Sequence, residues 1–165
     1  MKESIKSGDR YIPCILSRLA DDEPQSRIDS MPRVVPLEKI KQEILLNINQ
    51  ILNSRSRPSP RDMGYLPEVG SSVLCFGLSD FCGLTKSIES VEKIKNEIIS
   101  QIRYFEPRVD AESVIVEYQD DSFDKSSGFV FEICAQFSLK ALSGKFICIS
   151  YLDLETGMAT VRIKE

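Results

Sequence analysis

Histidine and tryptophan are both absent from this 165-residue chain, and the first absence excludes the most chemistry. Without imidazole there is no Ser-His-Asp or Cys-His nucleophile, no His-ligated metal site and no ordinary general base near neutral pH. Catalysis would have to come from carboxylate, lysine, cysteine or tyrosine groups in special settings. Long apolar runs are also missing, so no segment approaches the roughly 20 residues of a membrane-spanning helix. The start, Met1-Lys2-Glu3-Ser4, leads into polar sequence without the apolar region of a secretory signal. Net charge is −4 with acids and bases interspersed, and no basic stripe is interleaved with aromatics, so nothing indicates nucleic-acid binding. The cysteines Cys14, Cys75, Cys82, Cys134 and Cys148 are odd in number and scattered, with no C-x-x-C pair. They read as reduced thiols of a cytoplasmic protein, with Cys134 and Cys148 as small apolar fillers in strands. No metal or cofactor is implied.

What is present is a helix-then-strand order. Residues 1–36 read as an N-terminal extension, rich in proline and mixed charge, ahead of one domain over 37–165. Within the extension Ile12, Ile15, Leu16 and Leu19 recur at i, i+3, i+4 and i+7, which puts them on one face of a short helix stopped by Asp21-Asp22-Glu23-Pro24. So short a helix needs something to dock on, either its own domain or a partner. Leu37, Ile40, Ile44, Ile48 and Ile51 stripe a longer helix to about Leu52, with Pro36 at its start. Residues 53–72 read as a long loop, and Ser71–Leu84 as a buried irregular segment or short strand. Val91, Ile94, Ile98, Ile102 and Phe105 mark a second helix from about Ile88, capped by Ser87 or Ser90.

After Arg108 the period changes from 3.6 to 2. Strands are predicted over Ser113–Tyr118, Phe129–Leu139, Lys145–Leu154 and Met158–Ile163, with turns at Ser143-Gly144 and Glu155-Thr156-Gly157. The fold class is therefore α+β: two amphipathic helices packed on a four-stranded, mainly antiparallel sheet, with an N-terminal tail.

Phe105-Glu106-Pro107-Arg108 sits where helix gives way to strand. A carboxylate at a helix C-terminus opposes the helix dipole at a cost of roughly 0.3–1 kcal/mol unless compensated. Pro107 ends the helix, and Arg108 places a planar five-donor fork two residues from Glu106. This is either a helix stop with an internal ion pair or a contact motif.

Several segments together resemble one family. Leu52-Asn53-Ser54-Arg55 looks like a Leu-Asn-Thr-Arg signature, Phe76-Gly77-Leu78-Ser79-Asp80 like a Tyr-Gly-Leu-Pro-Asp segment, and Glu106-Pro107-Arg108 matches a hallmark tripeptide. Leu16-Ser17-Arg18-Leu19 with its acidic stop resembles the N-terminal segment, and Tyr151–Gly157 the final strand pair. The family is the type VI secretion baseplate subunit TssE, related to the wedge proteins of contractile phage tails. Ser54, Phe76 and Ser79 depart from its pattern. The resemblance implies a non-enzymatic subunit that joins the wedge with TssF and TssG, reaches TssK through it, and initiates the TssB–TssC contractile sheath. It places the chain in the cytoplasm at an inner-membrane-associated baseplate. It implies Glu106, Pro107 and Arg108 as partner-binding residues, with Ile12, Ile15, Leu16 and Leu19 as the stripe that docks on the wedge. An exposed sheet edge, with Met158–Ile163 the favoured strand, could accept a sheath strand.

The phage relatives have carried a lysozyme label, so a carboxylate-based glycoside hydrolase is the alternative. It needs two carboxylates across a cleft, about 5–5.5 Å apart for retention or about 6.5–9.5 Å for inversion. Glu106 with Asp110 or Glu112 is the available set, but the latter two stand at a strand entrance, and tryptophan for a sugar platform is missing.

Overall fold

The computed structural model describes residues 12–20, 24–25, 35–56, 66–119, 128–137 and 145–164. The chain forms two compact units, Met1–Ile44 and Leu45–Glu165. Its described helices are α1 (Ile15–Leu19), α2 (Leu37–Asn53), α3 (Pro67–Gly70) and α4 (Ile88–Phe105), and its strands β1 (Ile115–Gln119), β2 (Gly128–Gln136), β3 (Lys145–Asp153) and β4 (Ala159–Ile163). This is the α+β class expected from the change of period.

In the first unit Cys14 caps α1, its sulfur accepting from the Ser17 N–H at 3.4 Å. The Cys14 N–H donates to Glu43 Oε2 at 3.1 Å. The helix is shorter than its apolar spacing suggested: Ile12 lies just before it, and only Ile15, Leu16 and Leu19 are inside. All four side chains are 71–75% exposed. The acids expected to stop this helix, residues 21–23, lie outside the described residues.

The second unit holds the sheet, an antiparallel meander in the order β1-β2-β3-β4. Alternation sends Phe129, Phe131, Ile133 and Ala135 of β2, and Phe146, Cys148, Ser150 and Leu152 of β3, to one buried face. Register places Phe131 opposite Ser150 and Ser150 opposite Val161. The Tyr118, Phe129 and Phe131 rings stack edge-on or tilted at 5.8–6.1 Å. Helix α4 buries Ile94, Ile98 and Ile102, and the C-terminal part of α2 buries Ile48, Ile51 and Leu52. Each such side chain contributes roughly 1.5–3 kcal/mol of burial. The opposite sheet face carries half-buried Val130, Glu132, Cys134, Ile147, Ile149 and Tyr151.

Four local expectations change. The 53–72 loop contains α3, which starts at a proline and closes with the Gly70 N–H on Leu66 O at 3.1 Å. Ser71–Leu84 takes the irregular course of the two readings rather than the strand, and it is only partly buried. Ser72 caps a 3-10 turn at Val73–Cys75, leaving Val73 and Leu74 exposed and Cys75, Leu78 and Phe81 buried. Strand β1 begins at Ile115 rather than Ser113, because Asp110 caps a 3-10 turn over Ala111–Ser113. Cys134 is half-buried on the outer sheet face, whereas Cys148 is the filler expected, with burial pushing its thiol up to about 12. The turn predicted at Ser143-Gly144 lies outside the described residues.

Gly77 is the glycine that the fold most requires. Its φ is +103°, and a Cβ there would lie 2.5 Å from the Ser54 carbonyl oxygen. Gly77→Ala is expected to lose about 1–3 kcal/mol of stability, read as a lower urea midpoint with unchanged m-value.

Candidate functional site

The Glu-Pro-Arg turn is built from the end of α4. Ile102 O accepts the Glu106 N–H at 2.9 Å, and Pro107 stops the helix there. The Glu106 side chain is fully buried. Its Oε1 accepts from Arg108 Nε at 2.7 Å, and its Oε2 from Arg108 Nη2 at 2.7 Å. Oε2 also accepts from Asn47 Nδ2 at 2.8 Å, and the same Asn47 amide donates to Phe105 O at 3.0 Å. The carboxylate that opposes the helix dipole is thus compensated by a two-point guanidinium grip and an amide from α2. Arg108 keeps 23% of its side chain exposed, and Pro107 is exposed. Beyond the turn, Val109 bridges Phe137 and the Asp110 N–H donates to Gln136 O at 2.9 Å, delivering the chain to the sheet.

A second junction gathers the other motif segments of this unit. Asn53, the last residue of α2, donates to Ala159 O and accepts from the Ala159 N–H, both at 2.9 Å. Arg55 donates to Leu52 O at 2.9 Å, to Ser54 O at 3.1 Å and to Gly157 O, while its guanidinium lies 4.2 Å over the Phe81 ring. The Arg55 and Leu78 main chains join in a short parallel bridge, in which the Leu78 N–H donates to Ser54 O at 3.0 Å and the Ser56 N–H to Leu78 O at 2.9 Å. Gln101 clamps the same loop to α4, accepting from the Gly77 N–H at 2.8 Å and donating to Cys75 O at 2.9 Å. Glu97 accepts from Ser79 through its N–H and hydroxyl. At the β3–β4 turn, the Glu155 N–H and then the Thr156 hydroxyl hold Asp153 below its ordinary carboxylate value. Exposed Cys82 is raised, chiefly by its hydrogen bond with Asp80.

The structure therefore brings Glu106, Pro107 and Arg108 together in one turn, with Glu106 turned inward. Asp110 and Glu112 are exposed, and Asp110 Oδ1 accepts the Glu112 N–H. Among the described residues no cluster of His, Cys, Asp or Glu could hold a metal ion, and no helix is long and apolar enough to cross a membrane. Sequence reasoning missed Asn47 and Gln101. A signal existed: each is a polar residue within an apolar stripe, three after one buried isoleucine (Ile44, Ile98) and seven after another (Ile40, Ile94).

Arg108→Ala leaves a buried carboxylate without its cation and should cost about 3–5 kcal/mol. Glu106→Met/Arg108→Met, which removes both charges, should cost less than Arg108→Ala alone. Urea denaturation of the two variants checks that order.

Among curated proteins and solved structures no match to the chain was found. The family model described as Baseplate wedge protein gp25 matches residues 38–140. That span includes Leu52–Arg55, the Phe76–Phe81 loop and the Glu106 turn, the same segments that the two junctions tie together. With more than half of its length matched in this way, the chain belongs to the baseplate wedge protein gp25 family.

Proposed function

We propose that this chain is a TssE-type subunit of a type VI secretion baseplate. It acts without catalysis or cofactor: it joins a wedge with TssF and TssG, reaches TssK through that wedge, and starts assembly of the TssB–TssC sheath. The observation that carries this reading is the baseplate wedge family match over residues 38–140, with the Glu-Pro-Arg turn inside it. Its place is the cytoplasm, at a baseplate associated with the inner membrane.

The geometry supports a division of labour. Residues 1–36 serve as an extension whose exposed Ile12, Ile15, Leu16 and Leu19 dock on the wedge, and residues 37–165 as the wedge domain. Glu106 holds Arg108 in a fixed direction at a rigid helix stop. With Pro107, that side chain offers an orientation-specific contact to a neighbouring subunit. Strand β4 stands at the sheet edge, where a sheath strand can be added through main-chain hydrogen bonds. A hydrolase reading would need the Glu106 carboxylate to meet a substrate, whereas both its oxygens are engaged inside the chain.

Co-expression with TssF- and TssG-like subunits followed by native mass spectrometry tests the proposal. Ile15→Asp/Leu19→Asp is expected to leave circular dichroism unchanged and stability within about 0.5 kcal/mol, as for exposed positions, while abolishing the complex. Arg108→Lys, which keeps the charge but loses the planar fork, should weaken the complex without unfolding the chain. Failure of the native chain to form any complex would overturn the baseplate role.

A further inference from the structure

The outer edge of β4 is not uniform. Asp153 N–H donates to Met158 O and Lys164 N–H to Ile147 O, each about 3 Å apart (2.9 and 3.0 Å). Antiparallel alternation therefore turns the main-chain groups of residues 158, 160, 162 and 164 toward β3, and those of 159, 161 and 163 outward. The outward pair of Ala159 is already taken by the Asn53 side chain, whose amide presents one donor and one acceptor as a strand residue would. Asn53 is itself held by a second pair of bonds, from its Nδ2 to Asn49 O and Oδ1. Among the described residues nothing bonds the outward groups of Val161 and Ile163.

Charge then narrows the occupant. Val161 and Ile163 lie opposite Ser150 and Cys148 and so share the core side of the sheet, while Arg162 lies opposite Ile149 on the other side and is exposed. Lys164 follows on that same side, on Glu132 at 2.7 Å. A second copy of β4 would set arginine and lysine against arginine and lysine, which is unfavourable for directly opposed like charges.

We infer that the β4 edge is a register-locked acceptor for one extended segment of another protein, with apolar residues opposite Val161 and Ile163 and a carboxylate opposite Arg162. Asn53 is the stop: it fills the Ala159 position, so pairing runs from Val161 onward and cannot slip by a residue pair toward the β3–β4 turn. This deepens the strand-acceptor role proposed above and rests on it. Register matters because shifting a strand by one residue exchanges its two faces, and shifting by two moves every cross-strand contact.

The test uses the full chain, labelled with ¹⁵N, and two short probe peptides, one alternating valine with glutamate and the other valine with lysine. Amide hydrogen exchange is read residue by residue. The glutamate peptide should slow exchange at Val161 and Ile163 by about tenfold and leave Ala159 unchanged, while the lysine peptide should do neither. In Asn53→Ala the Ala159 amide should exchange faster in the free chain and become protected by the glutamate peptide. Arg162→Glu, at an exposed position, should reverse the peptide preference, and it keeps the inference open to refutation where Asn53→Ala unfolds. Equal protection by both peptides, no protection at Val161 and Ile163, or peptide-dependent protection of Ala159 in the native chain each overturns it. Sheath assembly seeded by the chain despite a negative peptide result would overturn this inference alone. Peptide protection with no wedge or sheath complex would overturn the baseplate reading and leave the edge specificity standing.

Discussion

A carboxylate buried at the C-terminal end of a helix is opposed twice, by the helix dipole and by the loss of water. Glu106 is in that position, and the second unit is organised around relieving it. Arg108 supplies the opposite charge through a two-point grip, and Asn47 supplies a neutral donor that also bonds the carbonyl before Glu106. The consequences spread along the chain. The exit angle of α4 is set, α2 is tied to it, and Val109 is delivered to its bridge with Phe137 at the end of β2. An apolar residue in place of Glu106 would end the helix as well. It would not hold Arg108 in one direction on a turn whose proline faces solvent. The contact role proposed for the turn rests on that retained polar constraint.

The other junction uses side chains where a larger sheet would use backbone. Asn53 stands in for a strand residue beside Ala159, Gln101 does the same for the Cys75–Gly77 loop, and Arg55 reaches three carbonyls from one guanidinium. These side-chain bonds bring a helix end, a loop and a hairpin into register beside the buried Leu52, Leu78 and Phe81. They also leave β4 short and at the edge of the sheet. Edge strands are ordinarily protected against pairing, and here protection is partial: one position is filled by Asn53, and the outer face carries positive charge.

Much of the fold was legible because it rests on local periodicity. The isoleucine stripes of α2 and α4 and the alternation of β2 and β3 specify both the elements and their buried faces. Short elements were less legible. Whether Ser113 starts a strand or ends a 3-10 turn depends on the Asp110 side chain accepting a main-chain N–H. The irregular course of residues 71–84 depends on Ser72 and Gly77 in the same way. Of the candidate site, the Glu-Pro-Arg turn was visible from its rule-breaking acid, and the alternative of an internal ion pair was visible beside it. The roles of Asn47, Asn53 and Gln101 were not.

Composition and spacing by themselves determined the α+β class, the order of helix and strand, the absence of imidazole chemistry and the position of the charged turn. Each of these follows from residues close in the chain, where backbone geometry sets the repeat. Tertiary structure alone decided that Glu106 faces inward, that α2 supplies its second partner, and that Asn53 fills the outward main-chain pair of Ala159 on β4. Those outcomes depend on polar groups separated by 59 and 106 positions in sequence meeting within 3 Å. A buried donor or acceptor must find a partner wherever packing brings one, and no local pattern encodes which one that is.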